Sequence, residues 1–430
     1  MPENLTAAAL ALAVLAPLVG ALASPVGAAR SGRTAMISTA VALVAAAVVL
    51  VAAGADAPAA WSFDGRLLVE ADRLGALLLV FVLSATVVVQ AYAVRSLRGD
   101  LCRHRFFLAS GVAAGATATV VVAADLWVAV IAWIVVSLAT VDLLFHDGRP
   151  TARAAARRAA RTFLVGDLAL LGAAVVAGRS VGAVTLRPDQ LSDLASSAPT
   201  AGPFPVVAVL AIAAVAAAVT RSALPPGHSW LPMSVAAPTP SSAVLHAGIV
   251  NGGGVLLVRF APVLAVSWVA TALAVAAGCA AVLVGTAVAR TRADVKTGLA
   301  WSTVAQMGFM VTQCVTGLVG PALVHMVAHG MYKSNLFLGS GSTLAHTHPV
   351  EPDVGLRLGR AVLTAIVTVL SVGTAWAVVR PSTFRGAAGL VFAGFVAATV
   401  AQAAWAWMRA RPGRTRLDLV ALVGLVVATT

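Results

Sequence analysis

The chain has 430 residues, 60% of them hydrophobic and only 10% charged, and its formal net charge is +13. Soluble domains carry roughly a quarter charged residues, so this few cannot cover a water-soluble fold. Such a basic excess would point to phosphate contacts in a soluble protein. Here the arginines sit in short loops between apolar runs, where the orientation of a membrane protein places them. That excludes nucleic acid as a partner and makes membrane lipid the solvent.

Apolar runs of about 20 residues, each long enough to cross a hydrocarbon core of about 30 Å, recur along the chain. The first covers 6–22. It follows Glu3 and no basic residue, so it lacks the positive segment of a secretion signal and is read as a retained helix. Further spans are expected at 35–53, 74–94, 106–123, 126–145, 162–177, 204–220, 241–258, 263–289, 299–319, 322–344, 361–379, 387–408 and 417–430. The fold class is therefore an all-α polytopic membrane protein of about 13–14 transmembrane helices.

Loops after odd-numbered spans carry the positive charge: Arg30 and Arg33; Arg95, Arg98, Arg103 and Arg105; Arg149, Arg153, Arg157, Arg158 and Arg161; Arg290, Arg292 and Lys296; Arg409, Arg411, Arg414 and Arg416. The intervening loops are acidic, mixed or nearly bare, with Asp56, Asp64, Glu70, Asp72 and Asp125. The positive-inside rule then puts the N-terminus outside a multi-pass protein of the cell membrane. The longest connector, 178–203, holds no soluble domain, so 1–430 reads as a single membrane domain and any soluble chemistry falls to another chain. Cys102, Cys279 and Cys314 lie far apart without metal-ligand or paired spacing.

Ionisable groups at membrane depth are costly, about 2.5–3.5 kcal/mol each on insertion scales, so each needs a partner or a hydrated cavity. One group of polar residues runs from Thr220 and Arg221 through His228 and Pro232 to Pro238, Pro240, Ser241, Ser242 and His246. Its five prolines remove donors and break the helix, and free carbonyls are tolerated at depth only inside protein or beside water. The alternative is a proline-rich turn outside the membrane. His246 is followed by Gly248 and Gly252 to Gly254, which permit close helix contact. Its imidazole suits either proton transfer or a structural hydrogen bond.

A second group, His325, His329 and Lys333, is spaced by four residues. At 3.6 residues per turn these positions drift only about 40° per step and share one face, which must look inward. By residue type this is a proton relay. Zinc binding by His325 and His329 competes with it, but no third ligand falls on that face. His346, His348, Glu351 and Asp353 form a further metal candidate, with a solvated loop as its alternative.

These residues carry a family resemblance. His228-Ser-Trp-Leu-Pro, Pro238-Thr-Pro-Ser-Ser-Ala-Val-Leu-His246, Asp294-Val-Lys and Trp301 to Phe309, with His325, His329 and Lys333, resemble the antiporter-like proton-translocating family. That family includes chain 5 (L) of NADH:quinone oxidoreductase and the multisubunit cation/proton antiporters. The similarity is dense over about 125–342 and weak in 1–124 and 350–430. Leu245 to Phe260 and Gln306 to Cys314 are most similar to the membrane subunit of Dab-type inorganic carbon transporters.

The resemblance implies an antiporter-like fold with a broken seventh helix. It also implies a transport subunit, itself not an enzyme and without a cofactor of its own. The expected partner is a large peripheral zinc-binding subunit resembling β-type carbonic anhydrases, which hydrates CO2 while this chain admits cations. On this reading His246, His325, His329 and Lys333 form the ion path. Arg221 stands where the family has a lysine on the seventh helix, and Asp167 matches the aspartate opening the sixth, either shaping the field or serving as a helix-end charge.

There are two departures. Ile134 follows Trp133 where respiratory members have a glutamate, so the acid expected to pair with the seventh-helix base is missing. Arg221, a guanidinium, does not release protons. Two alternatives remain: a subunit of a respiratory or multisubunit antiporter complex, and a membrane scaffold that conducts nothing.

Overall fold

A computed structural model describes residues 3–23, 31–55, 57–197, 200–201 and 204–340. The three spans expected beyond 360, the 350–430 segment and the His346, His348, Glu351 and Asp353 loop lie outside the described residues.

Helices dominate. α1 is Glu3–Leu22 and α2 is Ser31–Gly54, followed by a hairpin of β1 (Ala59–Phe63) and β2 (Arg66–Ala71). Then come α3 (Arg73–Ser96), α4 (Arg103–Val122), α5 (Leu126–Phe145), α6 (Pro150–Val181) and the short α7 (Pro188–Ser197). A two-residue pair, β3 (Thr200–Ala201) and β4 (Phe204–Pro205), leads into α8 (Val206–Arg221). After it the chain is interrupted, holding only the one-turn α9 (Trp230–Met233) between 3-10 turns, before α10 (Thr239–Ala247), α11 (Gly252–Arg259), α12 (Ala261–Ala265), α13 (Trp268–Thr291), α14 (Val295–Val315) and α15 (Val319–Gly339).

Among the described residues eight helical segments are long and apolar enough to cross a membrane, α10 and α11 counted together. Each span expected before 345 falls on helix, 241–258 and 263–289 on two helices each and 322–344 as far as Gly339, but three depart from the apolar rule. α8 has 16 residues and is short. α14 and α15 have 21 residues each but fall outside the eight, because the polar groups that matter here dilute their hydropathy.

Start signals are local. Asp72, Asp125 and Asp294 each accept hydrogen bonds from the free amides of the next turn, at Gly75, Trp127 and Thr297, and so begin α3, α5 and α14. α6 starts at Pro150, not at 162, because proline suits the first turn and the alanines interleaved with its arginines favour helix. Hydropathy misses that charged extension.

The end opposite the arginine-rich loops is closed by the β1–β2 hairpin, which bridges Val69 to Ala123, while Asp125 bridges to Thr185. Arg259, at the end of α11, donates to the Val121 carbonyl and lies 3.9 Å from Asp72.

Small residues set the helix spacing. α13 and α14 cross where Gly278 and Gly308 face each other: a Cβ on Gly308 would meet the Gly278 carbonyl oxygen at 2.5 Å, and one on Gly278 the Gly308 carbonyl at 2.8 Å. Membrane helices associate through such close backbone contact. Gly308→Ala is expected to push α13 and α14 apart and cost about 1–3 kcal/mol. The check is the thermal midpoint of the detergent-purified chain, where an unchanged value would contradict the contact.

Candidate functional site

Polar side chains at depth form two clusters on either side of the interrupted segment. The first is built on Arg221, the last residue of α8 and 1% exposed. α8 ends there because Ala223 adopts φ +53 and Pro225 and Pro226 follow. The break expected around 221–240 is thus real and lies at 222–238.

The guanidinium of Arg221 donates through Nη2 to the Trp133 carbonyl at 3.1 Å and to Ser137 Oγ at 2.6 Å. It also lies over the rings of Trp133 and Phe163, 4.3 and 4.9 Å from their centroids. Ser137 Oγ in turn donates to Asp167 Oδ1 at 2.9 Å, and Asp167 Oδ1 is 3.8 Å from Arg221 Nη2. One hydroxyl therefore ties the acid to the base.

The fifth-helix acid is absent, as expected: Ile134 packs against the apolar core, and the carboxylate beside Arg221 is that of Asp167 on α6. One expectation is corrected. Asp167 does not open the sixth helix, since α6 begins at Pro150 and Asp167 sits well inside it. Ser137 was not anticipated. Its signal was available, because it stands one turn after Trp133 on the same face of α5.

The glycines after His246 seat this cluster against the second. The eighth span is divided: α10 ends at Ala247, a 3-10 turn covers Ile249–Asn251, and α11 starts at Gly252. A Cβ on Gly252 would touch Arg221 Cγ at 3.6 Å, one on Gly253 would collide with Ser222 Oγ at 2.2 Å, and one on Gly254 would meet Met310 at 2.8 Å. Three consecutive glycines thus let one turn approach α8, α14 and α15 together.

The second cluster occupies the facing sides of α10, α14 and α15. His246, His329 and Lys333 are 0%, 5% and 2% exposed, so the stripe looks inward as its spacing requires. Lys333 Nζ donates to the Leu299 carbonyl at 3.0 Å and closely to Ser302 Oγ. His325 Nδ1 is 2.9 Å from Gln313 Oε1. The rings of His325 and His329 are 5.9 Å apart.

His246 Nε2 is 3.1 Å from Ser234 Oγ in the interrupted segment, and its ring stacks on Phe337 at 4.3 Å. From His325 to Lys333 the stripe covers about 12 Å of membrane depth at 1.5 Å per residue. Ser234, Ser302 and Gln313 are its supports, and single-sequence reading missed them because ordinary polar residues on apolar helices carry no distinctive spacing.

Chemically the two clusters differ. Imidazole and amine groups can accept and pass protons, and His246 Nδ1 and His329 Nε2 have no protein hydrogen-bond partner among the described residues. Arg221 differs in kind, since a guanidinium offers donors only and does not release its proton. The structure brings His246, His325, His329 and Lys333 together as one group and places Arg221 with Asp167 in the other. Among the described residues no three His, Cys, Asp or Glu side chains converge to hold a metal.

An inward polar stripe beside a broken helix in a polytopic bundle defines an antiporter-like membrane subunit. Residues 123–401 match the family described as NADH:quinone oxidoreductase/Mrp antiporter, transmembrane, and the chain belongs to that family. It is 34% identical over 298 residues to the probable inorganic carbon transporter subunit DabB1 of Halothiobacillus neapolitanus, covering 68% of this chain and 53% of that protein.

The NAD(P)H-quinone oxidoreductase chain 5 of Synechocystis is 33% identical over 301 residues, 69% of this chain and 44% of that one. A chain of the Mrp complex from Dietzia superposes with TM-score 0.71 at 27% identity, over 99% of this chain and 50% of that chain. The chain thus spans about half the length of the relatives named here. Similarity to both Dab-type membrane subunits and respiratory chain 5, expected from the motifs, is present.

Proposed function

We propose that the chain is the ion-translocating membrane subunit of an energy-coupled inorganic carbon transporter. The observation that carries this reading is the set of buried His246, His329 and Lys333 with half-buried His325, joined across α10, α14 and α15, in a chain whose relatives include probable inorganic carbon transporter subunits. Ions pass along that set down their gradient. Arg221 and Asp167 form a static charge pair beside it. CO2 chemistry belongs to a large peripheral zinc-binding subunit resembling β-type carbonic anhydrases, and the chain itself is no enzyme. The protein sits in the cell membrane with the arginine-rich end in the cytoplasm and the N-terminus outside.

Coexpression with the candidate peripheral subunit, affinity purification and zinc analysis test the reading. A stable complex carrying zinc on the soluble partner is expected. Recovery of other antiporter-like chains or quinone reductase subunits instead would overturn it. That second reading, a respiratory or multisubunit antiporter component, draws on the similarity to chain 5 and to the Mrp complex. It gains from Asp167, which restores the acid that Ile134 lacks.

A further inference from the structure

Ion passage does not use one surface at the arginine-rich end. α6 begins at Pro150, but its apolar stretch begins only near Phe163, so about 20 Å of helix stands outside the span at 1.5 Å per residue. Along that extension Ala152, Ala155, Ala156 and Ala159 are buried, which fixes the helix in place. Arg153, Arg157 and Arg161 are exposed and recur every fourth residue, so they form one ridge.

This arrangement is unfavourable for the isolated chain. Like charges four residues apart repel, and the helix start, which favours acids, has none in its first turn. Nor, among the described residues, is acid left over nearby. Asp142 accepts from Arg105 Nε at 2.7 Å, Asp100 pairs with His146 at 3.0 Å and Asp147 with Arg149 at 2.5 Å, while Asp294 caps α14. Backbone amides, of Arg149 and Thr297 respectively, hold Asp147 and Asp294 below the usual carboxylate range, so both stay ionised and engaged. Among the described residues no ion pair involves Arg153, Arg157 or Arg161.

We propose that Arg153, Arg157 and Arg161 form a docking ridge for an acidic surface of a water-soluble protein subunit. The proposal rests on the reading of this chain as the membrane partner of a peripheral subunit, and it assigns the face of contact. Orientation in the membrane needs positive charge only near the span. Anionic lipid reaches Arg161, but Arg153 stands about 12 Å farther along the helix, past the roughly 5–8 Å of one headgroup layer. A ridge that continues into water fits a protein surface better than a lipid one.

The position also links docking to the ion path. Arg158, on the same extension, turns away from the ridge and donates through Nε to Ser229 Oγ at 2.5 Å. Ser229 belongs to the interrupted segment, whose Ser234 holds His246. A partner seated on the ridge therefore loads the helix that anchors this segment.

The test coexpresses the tagged chain with the peripheral zinc-binding subunit and measures how much of that subunit is retained on the purified membrane chain. The triple variant R153E/R157E/R161E is expected to retain at least tenfold less than wild type at equal membrane abundance. The Arg→Lys triple should retain nearly the wild-type amount, and wild-type retention should fall as salt rises. If the Glu triple is poorly inserted, the Arg→Gln triple replaces it with the same expectation.

Wild-type retention by the charge-altered triples overturns the ridge while leaving the functional reading intact. Failure of the wild-type chain to retain the subunit removes both. Unchanged retention together with lost binding to phosphatidylglycerol vesicles would assign the ridge to lipid and overturn the proposal.

Discussion

Lys333→Ala is expected to abolish the CO2-dependent rescue of carbonic-anhydrase-deficient cells that coexpress the chain with the proposed peripheral subunit. Lys333 is 2% exposed, donates to the Leu299 carbonyl and Ser302 Oγ, and stands one turn after His329 on the same face of α15. Its removal takes the one amine from the buried set. His329 then loses the next titratable group along α15.

Lys333→Arg separates the mechanisms. A guanidinium keeps the charge but does not release its proton, so rescue by the arginine variant is expected to be lost as well if Lys333 relays protons. Rescue by Lys333→Arg but not by Lys333→Ala would reduce Lys333 to a fixed charge. Full rescue by Lys333→Ala, at equal membrane abundance, would favour a scaffold that conducts nothing.

The second large effect falls on the charge pair. Asp167→Asn leaves the Arg221 guanidinium buried without a carboxylate, and breaking a buried pair from one side costs about 3–5 kcal/mol. Membrane abundance and the thermal midpoint of the purified chain should both fall sharply. The double variant Asp167→Asn, Arg221→Met should recover much of that loss, because it removes both charges together. Arg221→Lys should recover little, since an ammonium cannot lie flat on Trp133 and Phe163 while reaching the Trp133 carbonyl and Ser137. An Asp167→Asn variant as stable as wild type would contradict the pairing.

The pair also shows how an unusual residue choice is accommodated. Where α5 has Ile134, the carboxylate comes from the neighbouring α6 and reaches Arg221 across the Ser137 hydroxyl. The electrostatic need is the same, one negative group near a buried cation, and three-dimensional proximity meets it from another helix. Sequence position alone showed the missing acid at Ile134 and the presence of Asp167, but not that Asp167 lies beside Arg221, because a contact between helices is not visible in a motif.

The linear chain by itself determined the membrane class, the positions of the spans before 345, the break after Arg221 and the common face of His325, His329 and Lys333. Each of these follows from local physics: hydropathy over about 20 residues, proline's missing donor and the 3.6-residue turn. Only the tertiary structure decided that α6 runs out from the span as an arginine ridge and that Asp167 answers Arg221. It also decided that Ser137, Ser234, Ser302 and Gln313 support the polar groups. Those features depend on which helices lie side by side. That adjacency is set by close contacts such as Gly278 on Gly308 and Gly253 on Ala218, where the absence of a side chain brings two backbones together.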